Sequence, residues 1–255
     1  KSNIQNIKNI ISKLDVHQVD LTKFDIVKKS IKEIKPDIIY HLATYGVYNN
    51  QISYEKIVKT NIFGTLNLFN SIYEYGNIEK VINLGSSFEY GPQSIKIKEN
   101  KKVNPRTIYG ISKVAQTNLA KYFYEQKNLP ITTLRIFNAY GTFENENRLI
   151  PSIILGAINH KKVNIINPND TRDFIFIKDV VDVLISSSKN KQHGEIFNIG
   201  TSKGYSVRQI AKKISKLSKS NNVEFHENNS HEYNGKIIAD ISKSKKILKW
   251  QPKYS

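Results

Sequence analysis

The sequence predicts an α/β fold with a doubly wound, mostly parallel sheet and a smaller C-terminal α/β subdomain. Short apolar runs rich in β-branched residues alternate with longer segments of helical spacing, which is typical of strand–helix–strand crossovers. The run 37–43 is apolar at successive positions, as expected for a strand that is buried on both faces. A length of 255 residues suits one large domain with such a subdomain.

The alternation of strands and helices is most regular in the first half of the chain. Apolar residues recur with the helical period along 54–75, and Gly76 then supplies a stop signal. A loop over 91–106 contains two prolines. We predict strands over 15–21, 37–43, 80–84 and 131–137, and helices over 24–34, 54–75 and 109–128.

After residue 140 the alternation becomes less regular. Ser206 precedes an apolar-periodic segment and is a candidate N-cap, because its side chain can accept a hydrogen bond from a free amide of the first turn. We predict strands over 173–177, 195–199 and 223–226, and helices over 149–160, 179–187, 206–217 and 243–248.

Composition argues against several classes of protein. The net charge is +17, but the lysines are spread along the chain and do not cluster with aromatic residues, so nucleic-acid binding is not predicted. No apolar run is long enough to span a bilayer, and the first ten residues lack the apolar core of a signal peptide. The absence of cysteine excludes disulfides and thiolate metal sites. We expect a cytoplasmic protein without membrane contact or bound metal.

Tyr109 and Lys113 form the most informative pair in the sequence. Residues four positions apart share a helix face, so the phenol and the ammonium should lie side by side. The cation would lower the phenol pKa from its usual value of about 10, which would make Tyr109 an acid and base near neutral pH. The pair alone is weak evidence, because two solvated residues on a helix face would have the same spacing.

Further segments surround this pair in a characteristic order. They include His-Leu-Ala at 41–43, Gly-Ser-Ser at 85–87 and Tyr-Gly-Ile-Ser-Lys at 109–113. With them the chain resembles the extended short-chain dehydrogenases/reductases, in the branch of nucleotide-sugar epimerases and dehydratases. The matching segments are collinear and cover nearly the whole chain: 19–21, 41–43, 61–65, 85–91, 109–113, 134–141, 172–174, 197–200 and 240–252.

The resemblance implies a nicotinamide cofactor, NAD or NADP, and a nucleotide-activated sugar as substrate. Tyr109 would donate or accept a proton at a sugar carbon, Lys113 would hold the nicotinamide ribose, and Ser86 would polarise the same carbonyl. Substrate binding is implied for Ser86, Asn138 and Arg172. The guanidinium of Arg172 would clamp the diphosphate.

The resemblance also implies cofactor contacts, among which Asp20 would accept a hydrogen bond from the adenine amino group. The stretch 226–235 lacks a second arginine that the family often has, so Lys236 or His231 is expected in its place. The implied cofactor-binding residues are Asp20, Leu21, Leu42, Ala43, Thr44, Tyr109, Lys113 and Phe137.

For four other polar residues the sequence favours a structural role. Asn61 would bridge the backbones of a strand and a helix, and His41 would be packed rather than catalytic. Arg135 would make an ion pair, and Asp173 would brace the surroundings of Arg172. We therefore keep these four residues out of the predicted catalytic set.

The implied fold is a Rossmann-type sheet that is incomplete at its N-terminus. Residues 1–141 would form a truncated dinucleotide-binding domain, and 142–255 mainly a substrate-binding subdomain, with about 173–200 returning to the Rossmann sheet. The predicted helices 54–75 and 109–128 resemble those that join two subunits of this family in a four-helix bundle. A homodimer is therefore expected.

The sequence departs from the family at its glycine-rich turn. The pattern Gly-x-x-Gly-x-x-Gly, which binds the pyrophosphate, does not occur before residue 15. A unit of about 30 residues would be needed to supply it, and the absence of methionine suggests that Lys1 is not the natural start. We expect these 255 residues alone to bind a dinucleotide weakly or not at all, and to fold poorly, since the strand at 15–21 would lack neighbours.

A second departure bears on the reaction. Dehydratases of this branch carry an Asp-Glu or Ser-Glu pair after the catalytic hydroxyl, where this chain has Ser87 and Phe88. Glu89 would point elsewhere if the segment were extended. A 4,6-dehydratase is therefore disfavoured. The segments 41–46 and 85–91 resemble those of 4-ketoreductases such as abequose and paratose synthases, so we predict 4-keto reduction of an NDP-4-keto-6-deoxyhexose for surface lipopolysaccharide (O-antigen) synthesis. The alternatives are a nucleotide-sugar 4-epimerase and an inactive scaffold.

Overall fold

The computed structural model describes residues 4–47, 51–93, 96–226 and 235–254. Its strands, numbered in chain order, are β1 (Ile38–His41), β2 (Lys80–Ser86), β3 (Ile131–Ile136), β4 (Asn138–Tyr140), β5 (Val163–Ile166), β6 (Thr171–Arg172), β7 (Phe174–Phe176), β8 (Ile196–Ile199), β9 (Tyr205–Ser206), β10 (Val223–His226) and β11 (Lys236–Ile237). Its α-helices are α1 (Phe24–Ile34), α2 (Tyr54–Val58), α3 (Gly64–Tyr75), α4 (Ile108–Lys127), α5 (Leu149–Ile158), α6 (Ile177–Lys189), α7 (Val207–Ser218) and α8 (Ser242–Leu248).

The main sheet contains four parallel strands in the order β1–β2–β3–β8. Val81 and Ile82 are neighbours in β2 and both are fully buried, which requires a layer of side chains on each face of the sheet. Helices α1, α3 and α4 cover one face with a core that includes Val27, Phe69 and Phe123. Helices α6 and α8 cover the other face. The predicted α/β class with a parallel sheet is confirmed.

Three smaller groups of strands lie outside the main sheet. Strand β5 pairs with β10, β4 pairs with β7, and β6 lies between β9 and β11. Helices α5 and α7 pack around Ile153, Ile165 and Ala211. The chain passes through β6 and β7 before β8 joins the main sheet, so the two parts are interleaved in sequence. The functional division at residue 141 stays a prediction.

The segment 15–21 is not a strand, contrary to the prediction. Val19 and Leu21 pack against the core, and the carbonyl of Leu21 accepts a hydrogen bond from Asn67 Nδ2 (2.9 Å). Val19 and Leu21 are partly buried, whereas Val16 is 53% exposed. A strand also needs a neighbouring strand for its backbone N–H and C=O groups, and in the part of the chain that the structure describes none pairs with this segment.

The predicted helix over 54–75 contains a wider turn. A π-helical turn (Lys59–Phe63) joins α2 to α3, and α3 ends at Gly76, whose φ of 78° is left-handed. The predicted cap of α7 is confirmed, because Ser206 Oγ accepts from Gln209 N–H (3.1 Å). No helix in the four described ranges is long and apolar enough to cross a bilayer.

His41, the last residue of β1, is packed in the core, as predicted. Its ring meets the edge of Phe69 with 6.0 Å between the centroids. Thr65 gives its only hydroxyl proton to Asn61 O (2.6 Å), so His41 Nε2 must be the donor in its 2.8 Å contact with Thr65 Oγ1. Burial, with a smaller contribution from the charge of Lys113, lowers the pKa of His41 to about 3. The imidazole is therefore neutral at physiological pH.

Phe69 tests the assignment of this core. Its side chain is fully buried between the rings of His41 and Phe123. Phe69→Ala should lower the free energy of unfolding by about 3–5 kcal/mol, because it removes buried apolar area and leaves a cavity. Phe143→Ala is the matched control, since Phe143 is 73% exposed, and its effect should stay below about 1 kcal/mol. Equal effects of the two changes in urea unfolding would contradict the assignment.

The lowered pKa of His41 predicts a loss of stability in acid. The unfolded imidazole binds a proton below about pH 6.5, whereas the folded one does so only near pH 3. Stability is therefore lost as the pH falls through this range, by about 2 kcal/mol between pH 7 and pH 5. His41→Gln keeps a donor for Thr65 and should lose this part of the pH dependence. Urea unfolding at both pH values checks this, and equal losses in the two proteins would contradict it.

Candidate active site

Three segments meet at the carboxyl ends of β1 and β2: the loop after β1, the turn after β2 and the start of α4. Thr107 caps α4, because its Oγ1 accepts from Gly110 N–H (3.0 Å). Gly110 packs so closely on the turn after β2 that an added Cβ would lie 2.6 Å from Phe88 O. This contact brings Tyr109, the neighbour of Gly110, to the end of β2.

Tyr109 lies in a cluster of hydroxyl groups. The hydroxyls of Ser86 and Thr44 lie close enough to lower its pKa, and its ring packs edge-on against Phe88 with 5.7 Å between the centroids. Ser86, the last residue of β2, is buried and also accepts from Phe88 N–H (3.3 Å). The structure therefore brings together two of the three predicted catalytic residues, Ser86 and Tyr109.

The protonation of Tyr109 is determined mainly by its burial. Burial raises the pKa of Tyr109 above its usual value, and the nearby hydroxyls of Ser86 and Thr44 offset only part of this effect. The charge of Glu89 also raises the pKa, whereas the charge of Arg148 lowers it. Tyr109 is therefore a protonated phenol at neutral pH. This differs from the sequence-based expectation of a lowered pKa.

Lys113 is bound to the sheet rather than to the phenol. Its Nζ donates to the carbonyl of Leu84 and to Gln116 Oε1, and burial lowers its pKa to about 8, against the opposing effect of Glu89. The spacing of four positions between Tyr109 and Lys113 could not show that the carbonyl of Leu84 in β2 competes with the phenol for the Lys113 ammonium. A contact of Lys113 with a nicotinamide ribose stays a prediction.

Asn61, in the π-helical turn, ties the loop after β1 to α4. Its Nδ2 donates to Tyr45 O (2.8 Å) and to Ser112 Oγ (2.9 Å). Its Oδ1 accepts from Tyr45 N–H (2.8 Å) and from Thr44 Oγ1 (3.3 Å). The predicted bridging role is confirmed. The bridge also fixes Thr44, a predicted cofactor contact, beside Tyr109.

The turn after β2 is a 3-10 turn (Ser87–Glu89) and not the extended segment assumed from the sequence. Glu89 is therefore directed into the protein, where Oε1 accepts from Ser86 N–H (2.8 Å) and Oε2 accepts from Arg135 Nε (2.7 Å). The predicted ion pair of Arg135 is confirmed. Sequence reasoning missed its partner, although Ser86 and Glu89 have the Ser-x-x-Glu spacing of a capping box.

The predicted cofactor contacts differ in their exposure. Leu42 and Ala43 follow β1 and are exposed, so both can line a ligand. Asp20 is also exposed, and its Oδ1 accepts from Thr22 N–H (2.9 Å) and Thr22 Oγ1 (2.8 Å). These hydrogen bonds lower the pKa of Asp20.

Two other predicted cofactor contacts direct their side chains into the core. Phe137 is buried against Tyr90, and Leu21 packs beside α3. Only their backbones are left for a ligand, because the inward side chains are required for packing. The sequence could not distinguish a side chain that packs in the core from one that contacts a cofactor, because both are apolar.

The nicotinamide end of a dinucleotide fits these residues. The exposed pair Leu42 and Ala43 leads directly into Thr44, which adjoins Tyr109. The usual pyrophosphate-binding turn is missing from the sequence, because no Gly-x-x-Gly-x-x-Gly pattern occurs in the 255 residues. The contact of Leu42, Ala43 and Thr44 with a dinucleotide stays a prediction.

Asp173 organises the predicted substrate residues. Asn138 N–H donates to Asp173 O (3.0 Å), and Arg172 Nη2 pairs with Asp170 Oδ2 (3.4 Å). The Asp173 carboxylate is fully buried, and its role as a brace beside Arg172 stays a prediction. It accepts hydrogen bonds from the backbone N–H groups of Thr201, Ser202 and Ala239.

The proposed replacement for a second arginine is placed only in part. Lys236 lies in β11 opposite Thr171, one position from Arg172 in the paired strand. His231 lies outside the described residues. The substrate roles of Asn138, Arg172 and Lys236 stay predictions.

Comparison with known proteins agrees with this site. The NAD dependent epimerase/dehydratase family matches residues 1–200. The dTDP-D-glucose 4,6-dehydratase of Homo sapiens is 30% identical over 262 residues, which cover 99% of this chain and 72% of that protein. The dTDP-4-dehydro-6-deoxyglucose reductase of Escherichia coli is 28% identical over 221 residues, which cover 84% of this chain and 69% of that protein.

A solved structure extends the likeness to three dimensions. The UDP-glucuronic acid 4-epimerase of Bacillus cereus, in complex with UDP-glucuronic acid and NAD, superposes with a TM-score of 0.89 at 26% identity. The superposition covers 99% of this chain and 81% of that one. The Rossmann-type fold, the enzyme class and the nicotinamide cofactor predicted from the sequence are thereby confirmed. This chain belongs to the NAD-dependent epimerase/dehydratase family of nucleotide-sugar enzymes.

Proposed function

We propose that this chain carries the catalytic and substrate-binding residues of a reductase that acts on the 4-keto group of an NDP-4-keto-6-deoxyhexose. The supporting observation is the proximity of the hydroxyl groups of Tyr109, Ser86 and Thr44 at the carboxyl ends of β1 and β2. A reductase needs the protonated phenol, because the carbonyl oxygen takes up a proton as it becomes a hydroxyl group. The product would serve the synthesis of a surface polysaccharide.

Four residues take part in the proposed reaction. Tyr109 donates a proton to O4 of the sugar, and Ser86 donates a hydrogen bond to the same oxygen, which stabilises the negative charge that develops there. A bound NADH or NADPH supplies the hydride, which these side chains cannot provide. Arg172 binds the diphosphate through its planar guanidinium, and Asn138 binds the sugar.

The turn after β2 argues against elimination of water. Such a reaction needs a carboxyl acid and base beside the catalytic hydroxyl. Ser87 and Phe88 follow Ser86, and both oxygens of Glu89 are engaged by Ser86 N–H and Arg135 Nε. Glu89 is therefore committed to structure, although the chain is similar to dehydratases in sequence.

A nucleotide-sugar 4-epimerase is the second candidate. The same Tyr109 and Ser86 pair can accept a proton from O4 and then return it. Epimerisation begins with oxidation, for which Tyr109 must act as a base. The likeness of segments 41–46 and 85–91 to those of 4-ketoreductases ranks the reductase first.

We also propose that the protein is a cytoplasmic homodimer whose partner is a second copy and not a nucleic acid. Ile111 and Tyr122 of α4 are 49% and 50% exposed and lie eleven positions apart, which puts them on one helix face. Phe63, in the adjoining π-helical turn that packs on α4, is 52% exposed. Exposed apolar residues on two neighbouring helices suit a helical interface between copies.

Tyr109→Phe in the full-length natural protein tests the proposed reaction. Loss of the phenolic proton should lower kcat for reduction of a CDP- or dTDP-4-keto-6-deoxyhexose by about 100-fold or more. The ring and its packing against Phe88 are kept, so the melting temperature should change little. The measurement follows oxidation of NADPH and NADH at 340 nm.

The same assay separates the candidate functions. Reduction by the wild-type protein that disappears in the Tyr109→Phe variant supports the reductase. Interconversion of UDP-hexoses without net reduction would replace the reductase by the epimerase. Dinucleotide binding without either activity would favour the inactive scaffold.

Ile111→Asp tests the proposed dimer. An aspartate on the exposed face of α4 would bury a charge in the interface, so the variant should be a monomer in light scattering at concentrations where the wild-type protein is a dimer. Ile158→Asp is the matched control, because Ile158 is 66% exposed on α5 and should leave the oligomeric state unchanged. A dimer in both variants would place the interface elsewhere.

A further inference from the structure

Glu89 is a buried carboxylate that contacts the main chain of a catalytic residue. It is fully buried, and its Oε1 accepts from Ser86 N–H (2.8 Å). Its Oε2 accepts from Arg135 Nε (2.7 Å), whose side chain is 5% exposed. The hydroxyl of Ser86 caps the turn that carries Glu89. Ser86 and Glu89 therefore hold each other through two separate hydrogen bonds.

The close fit of Gly85 shows that the position of this carboxylate is fixed. An added Cβ on Gly85 would lie 2.6 Å from Glu89 Oε1 and 2.9 Å from Arg135 Cγ. Gly85 also lies opposite Arg135 in the pairing of β2 with β3. The ion pair therefore packs directly over the backbone that precedes Ser86.

Arg135 extends this arrangement across the next strand. Its Nη1 donates to Tyr90 Oη (2.7 Å), and Tyr90 Oη donates to Asn198 Oδ1 (2.8 Å). Asn198 lies opposite Arg135 in β8, and its Nδ2 donates to Ile97 O (2.7 Å). A continuous path of hydrogen bonds thus runs from Ser86 across β3 and β8 to the loop that contains Ile97.

A buried ion pair is not needed to stabilise this part of the core. Removing two charges from water is unfavourable, and well-packed apolar residues of similar size often stabilise a protein as much or more. The pair is nevertheless placed directly behind Ser86, with each carboxylate oxygen bound to a different donor. This arrangement is suited to fixing geometry rather than to adding stability.

We infer that Glu89 is a positioning residue, which together with Arg135 fixes the orientation of Ser86 for its contact with the sugar carbonyl. The inference rests on the proposed function, because Ser86 must act on that oxygen. Only a carboxylate at position 89 can accept from both Ser86 N–H and Arg135 Nε with two equivalent oxygens. An amide offers one oxygen and places an N–H₂ group against one of the two donors.

The charge of Glu89 has a second effect on the site. It raises the pKa of Tyr109 and of Lys113 on α4, while Arg148 lowers the pKa of Tyr109. Glu89 therefore helps to keep Tyr109 in the form that donates a proton. Loss of the charge should lower the pKa of Tyr109.

Glu89→Gln in the complete natural protein tests this role. Because a misplaced hydroxyl loses transition-state contact without losing substrate affinity, kcat should fall by about 10- to 100-fold while KM for the nucleotide sugar stays within about twofold. The alkaline limb of the kcat–pH profile should move to lower pH. A merely structural role would leave the ratio of kcat to KM unchanged, whereas the shift of this limb reports the loss of the Glu89 charge.

Asp179→Asn is the matched control. Asp179 is also fully buried, and its carboxylate accepts from the backbone N–H groups of Lys253 and Tyr254. This variant should lower the melting temperature and leave kcat of the folded protein unchanged. Equal losses of melting temperature and of kcat in the Glu89 and Asp179 variants would overturn the inference, because Glu89 would then act through stability alone.

A second variant and a reference variant complete the test. Glu89→Asp keeps the charge but shortens the side chain, so the carboxylate cannot reach both donors. This variant should also lower kcat, and it decides the test if Glu89→Gln does not fold. Unchanged kcat in either folded variant would overturn the inference. Tyr109→Phe, assayed in parallel, distinguishes the two proposals, because full activity in that variant would remove the proposed function itself.

Discussion

The close contact between the start of α4 and the turn after β2 is the constraint on which the site depends. Gly110 allows the helix to approach Phe88 O, and this approach brings the Tyr109 hydroxyl to Ser86. A side chain at position 110 would push α4 away from the sheet. Tyr109 and Ser86 therefore lie together because a residue without a Cβ occupies the point where the helix and the strand end meet.

Burial then decides the chemistry of the groups that this contact brings together. Removal of water raises the pKa of Tyr109, lowers that of Lys113 to about 8 and holds His41 neutral. In the same low-dielectric region, Glu89 and Arg135 stay paired behind Ser86. Burial therefore disfavours the charged forms of Tyr109, Lys113 and His41.

The sequence predicted the fold class well and the contacts within the site less well. The strands of the main sheet and the cap at Ser206 follow from apolar periodicity and local hydrogen bonding, so they could be predicted. The prediction of a strand at 15–21 was wrong. Apolar residues at alternate positions indicate burial, but they do not show that a neighbouring strand is available for pairing. Glu89 was misjudged for a related reason: the conformation of the turn after β2 depends on Arg135, a residue of the neighbouring strand.

The sequence by itself determined the order of strands and helices, the family and the identity of Ser86, Tyr109 and Lys113 as candidates, since these depend on local patterns along the chain. Only the tertiary structure decided which groups Lys113 and Glu89 contact and in which form Tyr109 is present. Those properties depend on distances between strands and on the exclusion of water. Both arise from packing between residues that are far apart in the sequence.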